Sequence, residues 1–290
     1  MKKLIEKAAI LMEALPYIQE FRDSVVVVKF GGSIMESGEK IRGVLRDIVF
    51  MECAGMRPVV VHGGGKAISA RLKAAGVETR FVQGLRYTGG EAVKVVDDVL
   101  HQEVNANLVA IMQEYEGKPC ALSGKSILRA DPMTVVDPES GEPLDLGFVG
   151  KVVNVDTEQI HWVLNRREVP VITPMGRDMN NRIYNINADM AACRIAAELQ
   201  AKKLVFLSDV PGILRKADAP DSLMSTIRME QVEGLIADGV IHGGMVPKIR
   251  SAAEALLAGT GKVHMIDGRV QHSLLLEIFT VEGIGTQIVH

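Results

Sequence analysis

A chain of 290 residues that is 47% hydrophobic and only 4% aromatic is long enough to bury a substantial core, as one large domain or as two lobes sharing one sheet system. Its 33 basic and 36 acidic residues leave a net charge of -3, so no extended basic face offers itself to a nucleic acid or an anionic membrane, and any anion must be recognised locally. No stretch reaches the ~18 uninterrupted apolar residues that a membrane span needs, and the histidines and cysteines show no zinc-binding spacing.

In chain order, Leu4, Ala8, Leu11 and Leu15 recur at helical spacing, and Ile5 and Met12 widen the stripe. Residues 1–20 are therefore expected to form an amphipathic helix, bent or ended near Pro16. Lys2 and Lys3 imitate the start of a signal peptide, but Glu6 and Glu13 interrupt the apolar run. Strand-like runs then alternate with helical ones: 25–30 before 41–51, 58–62 before 66–75, and later 169–173, 203–207 and 262–266. That alternation predicts an α/β fold with a largely parallel central sheet sandwiched by helices.

The valine runs at 25–28 and 59–61 are continuously apolar, as strands covered on both faces are, and each leads straight into glycines. A helical pattern over 91–115 sets Val95, Val99, Leu108 and Met112 on one face and reads as core packing. Residues 131–155 change to short extended pieces around a turn-rich break at 137–141, read as a hairpin excursion on the substrate side. Cys53, Cys120 and Cys193, odd in number and set among apolar neighbours, are expected to be reduced, buried thiols of a reducing, cytoplasmic compartment.

Five motifs carry chemistry. In Val28-Lys29-Phe30-Gly31-Gly32-Ser33 a buried strand delivers a lysine and two glycines to a turn whose free amides suit an anion. In Val61-His62-Gly63-Gly64-Gly65-Lys66 three successive glycines stand at a second such junction, where backbone geometry is the natural reason for them. His62 itself reads as a satisfied packing residue closing a strand. The third, Tyr184-Asn185-Ile186-Asn187-Ala188-Asp189, alternates polar side chains before a helix from Met190, with Asp189 a candidate cap or first-turn acid. Leu207-Ser208-Asp209-Val210-Pro211-Gly212 is a strand end and turn, and Gly243-Gly244-Met245-Val246-Pro247-Lys248 opens another helix. Ser123-Gly124-Lys125-Ser126 imitates a P-loop ending, but the required first glycine falls at Pro119. No GxGxxG follows the first strand, which weighs against a dinucleotide enzyme.

In order and spacing the five motifs resemble the amino-acid kinase family, from about Val25 to the end, and Gly84-Leu85-Arg86 and Gly147-Phe148-Val149-Gly150-Lys151 are similar to its acetylglutamate branch. The resemblance implies transfer of the ATP γ-phosphoryl group to the side-chain carboxylate of N-acetyl-L-glutamate, with Mg²⁺ arriving on the nucleotide. It implies an acceptor-binding lobe over roughly 21–190 and a nucleotide-binding lobe over roughly 191–290. Lys29 and Lys248 would flank the migrating phosphoryl group, Gly32 and Gly64 would add amide donors, and Asp189 would orient both lysines. Arg86, Asn185, Gly64 and Gly65 would hold the acceptor, and Lys29, Gly31, Gly32, Ser208, Asp209, Gly212 and Lys248 the nucleotide.

The amino-terminal helix further resembles the segment that interlaces dimers into a homo-hexamer, a trimer of dimers, in arginine-inhibited members. Tyr17, His272, Glu282 and Gly285 would then hold L-arginine as inhibitor, and a PII-type signal protein is a partner such a ring admits. Alternatives are an aspartate, glutamate, carbamate or uridylate kinase of the same family, or a non-catalytic arginine-sensing protein on its fold. Retention of both lysines, Asp189 and the glycine turns argues against the last.

Overall fold

The two valine runs become adjacent parallel strands, β1 (Val25–Phe30) and β2 (Arg57–His62), in register from Val25 opposite Arg57 to Phe30 opposite His62. The structure is a computed structural model that describes residues 1–137, 140–216, 219–280 and 283–290. β1 and β2 are neighbouring inner strands of an eight-stranded sheet. Beyond β1 lie Lys203–Ser208, Val263–Asp267, Thr286–Val289 and Thr226–Arg228; beyond β2 lie Val169–Ile172 and Pro119–Leu122. Among the described residues the one antiparallel pairing in this sheet is Val263–Asp267 with Thr286–Val289.

Strand side chains alternate between faces, so the sheet divides the core in two. Val27, Val59, Val61 and Phe206 pack in one layer, and Val26, Val28, Phe30, Val60 and Val205 in the other. Helix α2 (Gly38–Cys53), capped by the Ser37 hydroxyl, leads from β1 to β2, and α3 (Gly65–Ala74) starts on the triple glycine. The crossover after β1 moves one way along the sheet, to β2, and the one after Lys203–Ser208 moves the other way, to Val263–Asp267. Their carboxyl ends form the crevice where open α/β sheets bind ligands.

Two departures from the expected elements bear on that crevice. The helical pattern over 91–115 is interrupted: Gly90–Asp98 and Ala106–Glu114 are α-helical, but Val99–Asn105 is a π-helix. The extended pieces over 131–155 do include an antiparallel hairpin, Val135–Val136 with Pro143–Leu144, while 138 and 139 lie outside the described residues. They also belong to a closed barrel of Leu128–Pro132, Val149–Val155, Met175–Arg177 and Ile183–Ile186.

Two further expectations need correction. Of the two expected outcomes at Pro16, a bend or an end, the end is excluded: helix α1 (Lys2–Phe21) runs through it, losing one backbone bond on a largely exposed stretch. Its last turn docks through Phe21, whereas Leu4, Ile5, Leu11 and Met12 stay exposed, so the apolar stripe has no cover within one chain. Of the cysteines only Cys193 is buried; Cys120 is half-buried on an edge strand and Cys53, closing α2, is exposed. Among the described residues no helix is long and apolar enough to cross a membrane.

Candidate active site

The carboxyl ends of β1 and β2 open into a cavity of about 380 Å³. It gathers Lys29, Gly31, Gly32, Gly64, Gly65, Arg86, Asn185 and Asp189, expected sites spread over 160 positions of sequence. Lys29 is the penultimate residue of β1, and its ammonium reaches Asp189 Oδ1 at 2.6 Å. The other oxygen of that carboxylate faces Lys248 Nζ at 3.5 Å. Lys248 is outside the cavity lining, entering from the helix Met245–Leu257 and lying over the Phe206 ring. One carboxylate thus holds two cations, one at each oxygen. Burial pushes the Asp189 carboxyl up, but the ammonium groups of Lys29 and Lys248 outweigh it and hold the group below its usual range. It is an anion at neutral pH.

The expected helix start at Met190 shifts slightly: Ala188–Glu198 is helical, and the capping side chain is Asn187, which accepts from the amides of Asp189 and Met190. The cap frees the Asp189 carboxylate to serve the lysines.

Arg86 comes from a short hairpin, Phe81–Val82 with Leu85–Arg86, whose two turn residues Gln83 and Gly84 both have positive φ, the conformation that two-residue hairpins require. Its guanidinium is buried, donates to Gly65 O at 2.8 Å and Ser69 Oγ at 2.7 Å, and stacks on Phe81 at 4.7 Å. Among the described residues Nη1 has no hydrogen-bond partner, which leaves a donor for an incoming anion. Asn185, delivered by the barrel strand Ile183–Ile186, donates to Thr88 Oγ1 at 3.1 Å, and Thr88 in turn donates to Arg86 O at 2.9 Å.

Ser208, Asp209 and Gly212 lie at the end of the strand Lys203–Ser208 and beyond it, outside the cavity lining. The Ser208 hydroxyl is buried and braces its own turn by donating to Val210 O at 3.1 Å, while Asp209 is exposed. Among the described residues no cluster of three or more His, Cys, Asp or Glu is placed to hold a metal.

A second cavity, of about 500 Å³, lies between the last turn of α1 and the carboxyl-terminal segment. It contains two of the four expected effector residues, Tyr17 and Gly285. His272 is not among its lining residues; its Nδ1 pairs at 2.7 Å with the buried Asp47 on α2. Glu282 lies outside the described residues. Lining residues that escaped the sequence reading include Lys202, Lys203, His264 and Glu277. Their signal was present, since Glu277 is a lone acid inside the apolar run Leu274-Leu275-Leu276-Glu277-Ile278-Phe279. His264 Nδ1 meets Glu277 Oε1 at 2.5 Å, and Ile284 N donates to the other oxygen. Burial raises the Glu277 carboxyl, yet His264 and the Ile284 amide hold it net below its usual range; burial keeps the His264 ring below its own.

A family model described as the amino acid kinase family matches residues 24–267. A relative from Akkermansia muciniphila named acetylglutamate kinase is 44% identical over 288 residues, covering 99% of this chain and 97% of its own. Among solved structures, N-acetylglutamate synthase from Neisseria gonorrhoeae complexed with coenzyme A and N-acetyl-glutamate superposes with a TM-score of 0.85 at 26% identity, over 98% of this chain and 63% of the longer one. The same enzyme complexed with coenzyme A and L-arginine gives 0.80 at 26% identity, over 97% and 65%.

Proposed function

This chain belongs to the amino acid kinase family, and we propose that its first cavity is where the γ-phosphoryl group of ATP passes to the side-chain carboxylate of N-acetyl-L-glutamate. The chain is an ATP-dependent kinase for that substrate, in a step of arginine biosynthesis. The observation that carries the site assignment is the convergence of Lys29 and Lys248 on the one carboxylate of Asp189, beside the two glycine turns.

A side-chain carboxylate has a reference pKa of about 4.3 and is already ionised at neutral pH, so the nucleophile needs no base. The barrier is electrostatic, because an anion must approach a polyphosphate in line. In this reading Lys29 meets the transferring oxygens, Lys248 the leaving β-phosphate, and Gly32 and Gly64 donate backbone N–H groups. Asp189 fixes both ammonium groups without acting as a base. Arg86, with its unpartnered Nη1, takes the α-carboxylate of the acceptor, and Asn185 with the Gly64 and Gly65 amides completes that pocket. The nucleotide is assigned to residues from roughly 191 onward, including Ser208, Asp209 and Gly212, and Mg²⁺ to the phosphates of ATP.

Lys29→Ala and Lys248→Ala are each expected to lower kcat by about 10²- to 10³-fold while leaving the thermal midpoint within a few degrees. Near-wild-type turnover in either variant overturns the assignment. ADP release measured with aspartate, glutamate, carbamate and uridylate as acceptors tests the assignment, and acetylglutamate should exceed all four.

The second cavity supports a regulatory reading. An anionic Glu277 and the cationic Lys202 and Lys203 around one 500 Å³ space suit a ligand with a cationic end and a carboxylate. The L-arginine complex of the structurally similar synthase favours arginine, acting as feedback inhibitor. The exposed stripe of α1 is assigned to α1 of a second copy, linking dimers into a hexamer.

A further inference from the structure

His62 is fully buried at the end of β2, but its hydrogen bonds are more specific than packing requires. Val171 O can only accept, and it takes a hydrogen bond from Asn105 Nδ2 at 2.8 Å, which fixes the orientation of that amide. The same Nδ2 lies 3.0 Å from His62 Nε2, so Nε2 is the bare, accepting nitrogen. At the other edge of the ring, Gly63 O is again acceptor only, and His62 Nδ1 lies 3.0 Å from it. Two backbone carbonyls therefore leave a single tautomer, with the proton on Nδ1. Burial lowers the ring pKa to about 4, which keeps it neutral throughout the working range.

The consequence falls on the triple glycine. Gly63 N donates to Phe30 O at 2.9 Å, so Gly63 is held at its amide by the end of β1 and at its carbonyl by His62. In a trans peptide the carbonyl of one residue and the N–H of the next point in opposite directions. With Gly63 O turned inward to His62, the Gly64 N–H is turned outward, to the cavity that Gly63, Gly64 and Gly65 line. Gly64 is the cap of α3, and the first amides of a helix have no intrahelical acceptor.

We propose that His62 is a positioning residue for phosphoryl transfer: by donating from Nδ1 to Gly63 O it sets the Gly63–Gly64 peptide so that the Gly64 amide faces the reacting oxygens. Asn105 acts one step back, by holding the His62 tautomer. The proposal rests on the assignment of this cavity to phosphoryl transfer.

The substitutions separate the donor from the bulk. Asparagine at this position carries an N–H where Nδ1 stands, whereas leucine fills the space without a donor. His62→Leu is expected to lose about tenfold to hundredfold in kcat with the KM values for ATP and acetylglutamate little changed. His62→Asn should stay within about fivefold of wild type, a smaller loss than that of one oxyanion donor. Equal losses in the two variants, no loss in His62→Leu, or a loss confined to KM overturns the proposal. Should His62→Leu fail to fold, His62→Phe decides in its place, since it keeps an aromatic ring but has no donor for Gly63 O, and an unchanged kcat there is equally fatal. Nitrogen-15 spectra of the wild-type ring provide a readout independent of substrate. Nδ1 should carry the proton from about pH 5 to 8. A ring protonated at Nε2 refutes the inference even in an active enzyme; an inactive wild type with the Nδ1 proton in place refutes the substrate assignment alone.

Discussion

Asp189 holds Lys29 and Lys248 at fixed positions while remaining charged itself, and it achieves this because Asn187, two residues earlier, has taken over the capping of the helix. Asp189→Asn keeps the shape and removes the anion, so kcat should fall by about 10²-fold or more, with the larger fall at low ionic strength, where two unbalanced cations repel most strongly. A pH effect on stability belongs to His62. Its folded pKa of about 4 is below the usual 6.5, so the unfolded chain takes up a proton that the folded chain refuses. The contribution is complete above about pH 6.5 and is lost as the pH falls toward 4, by about 3 kcal/mol in all. Differential scanning calorimetry should show a midpoint that drops between pH 7 and 4.5, and a shallower drop in His62→Asn.

At the scale of elements, the π-helix Val99–Asn105 and the triple-glycine turn are two halves of one contact. A Cβ added at Gly64 would stand 2.7 Å from Leu100 Cδ2 and 3.5 Å from Val104 Cγ2, both on the π segment, while Asn105 of the same segment reaches His62. The widened turn, of a kind often found at functional sites, thus presses two apolar side chains on the glycine and aims a third, polar one beneath it. Gly64→Ala must move Leu100, which is itself buried. A cost of about 1–3 kcal/mol follows from overpacking, with a loss of turnover larger than the stability change explains; the thermal midpoint and kcat measured together test this.

For the whole molecule, the unresolved balance lies in α1. Tyr17 and Phe279 meet edge to face at 6.2 Å, and Lys202 bonds Glu20 and lies over Phe21, so the end of the helix is anchored to the second cavity. The rest displays apolar side chains to solvent, the face that the proposed second copy would cover. Under the proposed regulatory reading, removal of residues 1–20 should both reduce the assembly, read by light scattering, and abolish arginine inhibition, because Tyr17 leaves with the helix. Unchanged mass and unchanged inhibition in the truncated protein would remove the regulatory reading and leave the kinase assignment standing.

The parallel sheet, the two glycine turns and most of the cavity residues were legible in the sequence, since a buried parallel strand must be uninterruptedly apolar and a turn that receives an anion must shed its side chains. Lys29, Gly64 and Asp189 announced themselves in this local way. Long-range geometry did not. The π turn leaves apolar spacing nearly unchanged over one insertion, the barrel is built from strands of three to seven residues scattered over 128–186, and Pro16 proved compatible with a continuous helix because only one backbone bond is lost there. His272 and His264 are indistinguishable by composition, and it took packing to send one to Asp47 and the other to Glu277. Sequence alone settled which residues carry charge and which yield space; the fold decided which of them face each other, because that depends on crossovers between strands far apart in the chain.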